Sequence, residues 1–105
     1  MTVVLGALFL AGCASTTPIG ELLDDPGHYD GRTVQVEGEV EGAVGALGAG
    51  AYQVRDDTGT LTVVSEAASP PRSGSRVRVS GIFEALFTFG PESIAVLREE
   101  SRSRP

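Results

Sequence analysis

The chain of 105 residues has no lysine and no tryptophan, and a single cysteine, histidine and methionine. One cysteine excludes an internal disulfide, so the fold rests on its core. One histidine, His28, leaves no Ser–His or Cys–His pair that does not use it. Eight arginines stand against fourteen Asp and Glu, a net charge of −6 and a pI near 4.6. Binding a phosphate backbone needs a basic surface, so nucleic acid is not an expected partner. No long apolar run is present either. Residues 3–12 hold ten such positions, against the about 20 that a spanning helix needs. The length holds one small domain, which excludes a cleft between two halves. Hydrophobic residues at 41% and charged residues at 21% are those of a globular chain, not a disordered one.

The apolar run Val3–Gly12 has the length of a secretory h-region and ends in Leu10-Ala11-Gly12-Cys13. This resembles the lipobox of bacterial lipoproteins. The resemblance implies cleavage after residue 12, diacylation of Cys13 and anchoring of a new N-terminus. Two or more acyl chains hold a protein where one dissociates, at about 0.8 kcal/mol per buried methylene. Met1-Thr2 carries no basic residue, and an in-frame upstream start supplying Arg or Lys is expected. Residues 1–12 are thus expected as a signal peptide, 13–17 as lipidated cysteine and tether, 18–100 as the folded domain and 101–105 as a polar tail. Ala14, where an Asp would signal inner-membrane retention in such lipoproteins, favours outer-membrane sorting in a two-membrane cell. The expected location is the cell envelope, facing the periplasm or the exterior.

Thr17-Pro18 reads as a helix start, with Thr at the N-cap and Pro at N1. Ile19, Leu22 and Leu23 form one stripe, and Asp25-Pro26 ends it. From residue 32 the period becomes two. Val34, Val36 and Val40 alternate with Gln35, Glu37, Glu39 and Glu41. Tyr52 and Val54 share one face of a second strand. Asp56-Asp57-Thr58-Gly59 is a hairpin turn, and Leu61 and Val63 mark a third strand. Val77, Val79 and Phe83 mark a fourth, residues 84–92 a loop, and Ile94 and Val96 a fifth. Gly38 and Gly81 fall on inner faces, where a bend or bulge is expected. These features predict an all-β, five-stranded Greek-key barrel with a short N-terminal helix over one end.

Three segments carry a more specific likeness. Tyr29-Asp30-Gly31-Arg32-Thr33-Val34 with Val36 and Gly38, Tyr52-Gln53-Val54-Arg55-Asp56-Asp57-Thr58-Gly59, and Gly74-Ser75-Arg76-Val77-Arg78-Val79-Ser80-Gly81 resemble, in order, strands of bacterial OB-fold domains. The usual helix between strands three and four has no room in 66–74. OB-fold domains often bind single strands through strands two and three, which implies Gln53 and Arg55 as outward contacts, with Thr60 and Thr62 beside them. Leu86, Phe87 and Phe89 are the other contact candidates, expected to pack over the barrel end or against Leu22 and Leu23 unless exposed for a partner.

The remaining clusters read as structural. Glu37, Glu39 and Glu41 would face Arg76 and Arg78 across neighbouring strands, which explains both rows without a cation. Asp24, Asp25, His28 and Asp30 match no metal loop, and the glycine-rich 42–50 lacks the Lys-Ser/Thr ending of a phosphate loop. No catalytic residue, metal or cofactor is expected. The function expected is non-enzymatic binding of an envelope protein, a glycan or a small ligand. Single-stranded nucleic acid, or a metal-binding accessory role, is the alternative.

Overall fold

A computed structural model describes residues 15–44, 50–66, 70–89 and 91–105, without the side chains of Ala43, Val44 and Phe89. The expected lipidation site, Cys13, lies outside the described residues. Two helices, α1 (Ile19–Asp24) and α2 (Pro26–Tyr29), precede five strands. These are β1 (Thr33–Val44), β2 (Gly50–Arg55), β3 (Thr60–Ser65), β4 (Arg76–Phe89) and β5 (Glu92–Ser103). They close into a barrel in the order β1-β2-β3-β5-β4. All pairings are antiparallel except β3 with β5, which is parallel and spans Thr62↔Val96 to Val64↔Arg98.

The period-two positions fill the barrel as expected. Val34, Val36, Val40, Tyr52, Val54, Leu61, Val63, Val77, Val79 and Phe83 form one cluster with Ile19 and Leu22. Strand β5 departs from the expectation. Leu97 joins this core, with Ala95 packed against it, so the neighbouring Val96 faces the other side and Ile94 is half-buried. Ile94-Ala95-Val96-Leu97 is apolar in both phases, and alternation alone cannot choose between them.

The helix start is also displaced by one residue. Pro18, not Thr17, takes the N-cap position and offers no side-chain cap. Asp56, in the β2–β3 turn, supplies it instead: Ile19 N–H donates to Asp56 Oδ2 at 2.9 Å and Gly20 N–H to Thr58 Oγ1 at 2.7 Å. Asp56 Oδ1 also accepts from the N–H groups of Thr58 and Gly59. Burial pushes the Asp56 carboxyl up, but the three N–H bonds it accepts from Ile19, Thr58 and Gly59, with one from the Thr58 hydroxyl, outweigh it and hold it below the usual range. Ile19 and Leu22 thereby seat over the barrel end with 0% exposure each.

Two glycines let strands cross. A Cβ at Gly38 would lie 2.3 Å from the Arg55 carbonyl oxygen, where β1 passes between β4 and β2. One at Gly81 would lie 2.0 Å from the Arg98 carbonyl oxygen, beside a register shift between β4 and β5. Residues 84–92 are not a loop. β4 and β5 continue as a hairpin, with Phe87↔Ile94 and Phe89↔Glu92 in register and an irregularity between Glu84 and Phe87. The β-forming residues Phe87-Thr88-Phe89 favour this, and Asp30 Oδ1 accepts from Ala85 N–H at 2.8 Å. The strand pairing of β5 reaches Ser103, into the stretch expected as a tail.

Candidate functional site

The outer face of β2 carries both residues expected there. Gln53 is exposed, as is Arg55, whose guanidinium pairs with Glu41 at 2.7 Å and Glu39 at 3.5 Å. On the adjoining face Arg78 pairs with Glu37 at 3.1 Å and Arg76 with the same carboxylate at 3.6 Å. The opposed charge rows are therefore side by side, as strand neighbourhood requires. Exposed pairs of this kind contribute about 0–1 kcal/mol each.

The β4–β5 hairpin separates its own candidates. Leu86 is 77% exposed, and Phe87, its neighbour on the strand, is half-buried on the other face. Nothing is described of the Phe89 side chain. Phe87 lines an outer cleft of about 480 Å³ with Val64, Ile82 and Arg98, edged by Glu66 and Glu100 and reaching Glu99. Val64 and Ile82 each pair with Arg98 in register, so the cleft floor crosses three strands. Arg98 Nη1 lies 2.9 Å from Glu84 Oε2. Packing of Phe87 over the barrel end does not occur. α1 fills that end, and the hairpin turns the ring to the outer face.

A second groove, of about 420 Å³, collects Arg72, Arg76, Arg102 and Arg104 with Pro71, Ser75, Val77 and Ser103. Four of the chain's eight arginines thus line one groove, Arg76 paired with Glu37 and Arg102 with Glu99. The signal was present in the sequence. Antiparallel pairing sets the start of β4 beside the end of β5, as Arg78↔Ser103 shows, so Ser103 belongs to the barrel and not to a tail.

The barrel end away from α1 carries a polar network that the sequence reading missed. The Tyr52 hydroxyl donates to Glu99 Oε1, Ser65 Oγ donates to Glu99 Oε2 at 3.2 Å, and Arg102 Nη1 lies 3.3 Å from Glu99 Oε1. The Arg102 guanidinium also stands 5.6 Å from the Tyr52 ring centroid. Burial, then the hydrogen bond to Glu99, pushes the Tyr52 phenol well above its ordinary value. The Glu99 side chain is 9% exposed, so its charge is held by partners rather than by water. Among the described residues no group of three or more His, Cys, Asp or Glu is placed to hold a metal ion. His28 is exposed and meets Tyr29 edge to face.

The fold is similar to solved structures. Asparaginyl-tRNA synthetase from Pyrococcus horikoshii superposes with a TM-score of 0.60 at 20% identity, over 72% of this chain and 20% of the synthetase. Its complex with asparaginyl-adenylate gives the same score and identity over 73% of this chain and 20% of that chain. The tetrameric p202 HIN2 superposes at 0.58 with 22% identity, over 85% of this chain and 48% of that one. The fold is OB-fold-like. This chain spans about a fifth of the synthetase, and the identities show shared fold alone. No family model and no curated protein matches the sequence.

The likeness corrects one expectation. Net acidity makes nucleic acid an unexpected partner on the sequence, yet a similar fold stands in a synthetase named for its tRNA. A charge total averages over the surface, and here four arginines gather in one groove.

Proposed function

We propose that this OB-fold-like barrel is a non-enzymatic binding module for a short stretch of single-stranded nucleic acid. The observation that carries the reading is the outer cleft: Phe87 forms one wall, Val64 and Ile82 the floor, and Arg98 the cationic edge. A base stacks on an aromatic wall, worth about 1–3 kcal/mol per base, and a carboxylate rim accepts from exocyclic amino groups. The acidic rim opposes phosphates, so affinity comes from bases and its salt dependence is shallow. Each phosphate contacted adds a slope of about −0.7 to the log–log plot for single strands. Fluorescence anisotropy of labelled homopolymeric oligonucleotides tests this. Saturable binding at low salt, weakened about tenfold by Phe87→Ala, is the expected outcome. No anisotropy change, or Phe87→Ala binding like the parent, overturns it.

A second reading rests on Leu10-Ala11-Gly12-Cys13. A lipid anchor at Cys13 would hold the barrel to the cell envelope, where an envelope protein or a glycan takes the same cleft. A sugar face stacks on Phe87 as a base does. Full-length protein made in a bacterium should then partition into detergent and Cys13→Ser should not. Equal partition of the two removes the anchor.

A further inference from the structure

Phe87 stands on the outer face because β4 changes phase before it. Phe83 is buried in the core and Ala85 packs against it, so strict alternation would turn Phe87 inward as well. Between the pairs Glu84↔Val96 and Phe87↔Ile94, however, β4 advances three residues while β5 advances two. The extra residue reverses the phase, as in a β-bulge, and sets Phe87 on the face of Ile82, where both line the cleft. We propose that Asp30 is a positioning residue for this cleft: it fixes the phase change in β4 and thereby the face on which Phe87 stands. The consequence for binding rests on the cleft reading above, while the positioning itself is open to a separate measurement.

The backbone ladder shows why Asp30 has this role. Pairing of β1 with β4 ends at Thr33↔Ile82. Beyond it, Phe83 N–H donates to the Arg32 carbonyl and Gly31 N–H to the Phe83 carbonyl. Next along that edge is Ala85, whose N–H donates to Asp30 Oδ1 at 2.8 Å, inside the span where the register shifts. Asp30 is itself held in place. Arg32 N–H donates to the Tyr29 carbonyl at 2.9 Å, Asp30 has φ −57° and ψ 127°, and Gly31 has φ +80°. These angles match a type II turn, with Asp30 second and glycine required third. A Cβ at Gly31 would meet nothing within 4 Å, so the glycine is there for its φ. Without the carboxylate, Ala85 N–H has no partner from this edge, and β4 can pair with β5 without the extra residue. Phe87 then leaves the cleft. An amide oxygen accepts the same bond, so Asp30→Asn keeps the ring in place.

Two measurements on the full chain test this. The first needs no ligand: nuclear Overhauser contacts between the Phe87 ring and the methyl groups of Val64 and Ile82. They are expected in the parent and in Asp30→Asn, and weakened or lost in Asp30→Ala. Asp30 is exposed, so circular dichroism should show the barrel retained in both variants. The second is a double-mutant cycle read by anisotropy of labelled homopolymeric oligonucleotides. Asp30→Ala should weaken binding about fivefold, the scale of one net hydrogen bond. In the Phe87→Ala background it should add nothing, because the ring it positions is gone. Unchanged Overhauser contacts in Asp30→Ala, or a loss of equal size in both backgrounds, overturns the proposal. If the parent binds no oligonucleotide, the binding reading falls and the Overhauser contacts alone decide the role of Asp30.

Discussion

Asp56 shows how one side chain can hold two elements. Its carboxylate caps α1 from 37 residues away and closes its own turn through Thr58 and Gly59. Removing it leaves helix and turn donors without partners, so Asp56→Ala should lose about 1–2 kcal/mol in urea unfolding. The pH dependence has a definite sign. The folded-state pKa lies below the ordinary carboxylate value, so the stabilisation is present above that value and is lost as pH falls through the folded one. Unfolding curves between neutral and strongly acidic pH should therefore converge for parent and Asp56→Asn at the acid end. Because the group is mostly exposed, solvent screening keeps the effect modest. A gap between the curves that is constant with pH would show that the charge is not involved.

At the level of elements, the glycines separate two causes that look alike in sequence. Gly81→Ala or Gly38→Ala drives a Cβ into a carbonyl oxygen of a neighbouring strand, which backbone cannot yield cheaply. Each should cost about 3 kcal/mol or more, or prevent folding. Gly27, in α2, has nothing within 4 Å, and Gly27→Ala should be neutral or stabilising by up to about 1 kcal/mol. Thermal unfolding of the three variants checks the contrast. Strands β1 to β3, β4 as far as Phe83, the inward Tyr52 and the opposed Glu37 and Arg78 were legible because period-two patterning marks a half-buried strand. The phase of β5 was not, since four consecutive apolar residues satisfy either face. The Pro91 that suggested a loop also suits a hairpin end, so the wall bearing Phe87 was hidden. The Asp56 cap was hidden for a different reason. It joins residues distant in sequence, and local signals cannot report such a contact.

For the molecule as a whole, the two ends of the barrel are closed by different means. α1 seals one with Ile19 and Leu22, while Tyr52, Glu99, Ser65 and Arg102 seal the other with hydrogen bonds. Both helices precede the first strand. That placement has a mechanical consequence. A chain held at its N-terminal side and pulled transmits load first to the Thr17–Gln35 backbone hydrogen bond and to the Asp56 and Thr58 contacts of α1. These are few and near the point of attachment, whereas the strands of the barrel share their load across many pairs. Under force from the N-terminus α1 should peel away as a small early extension before the barrel ruptures. Asp56→Ala should lower the force of that first step and leave the second unchanged. A single rupture in both proteins, measured by optical tweezers, would show that helix and barrel yield together.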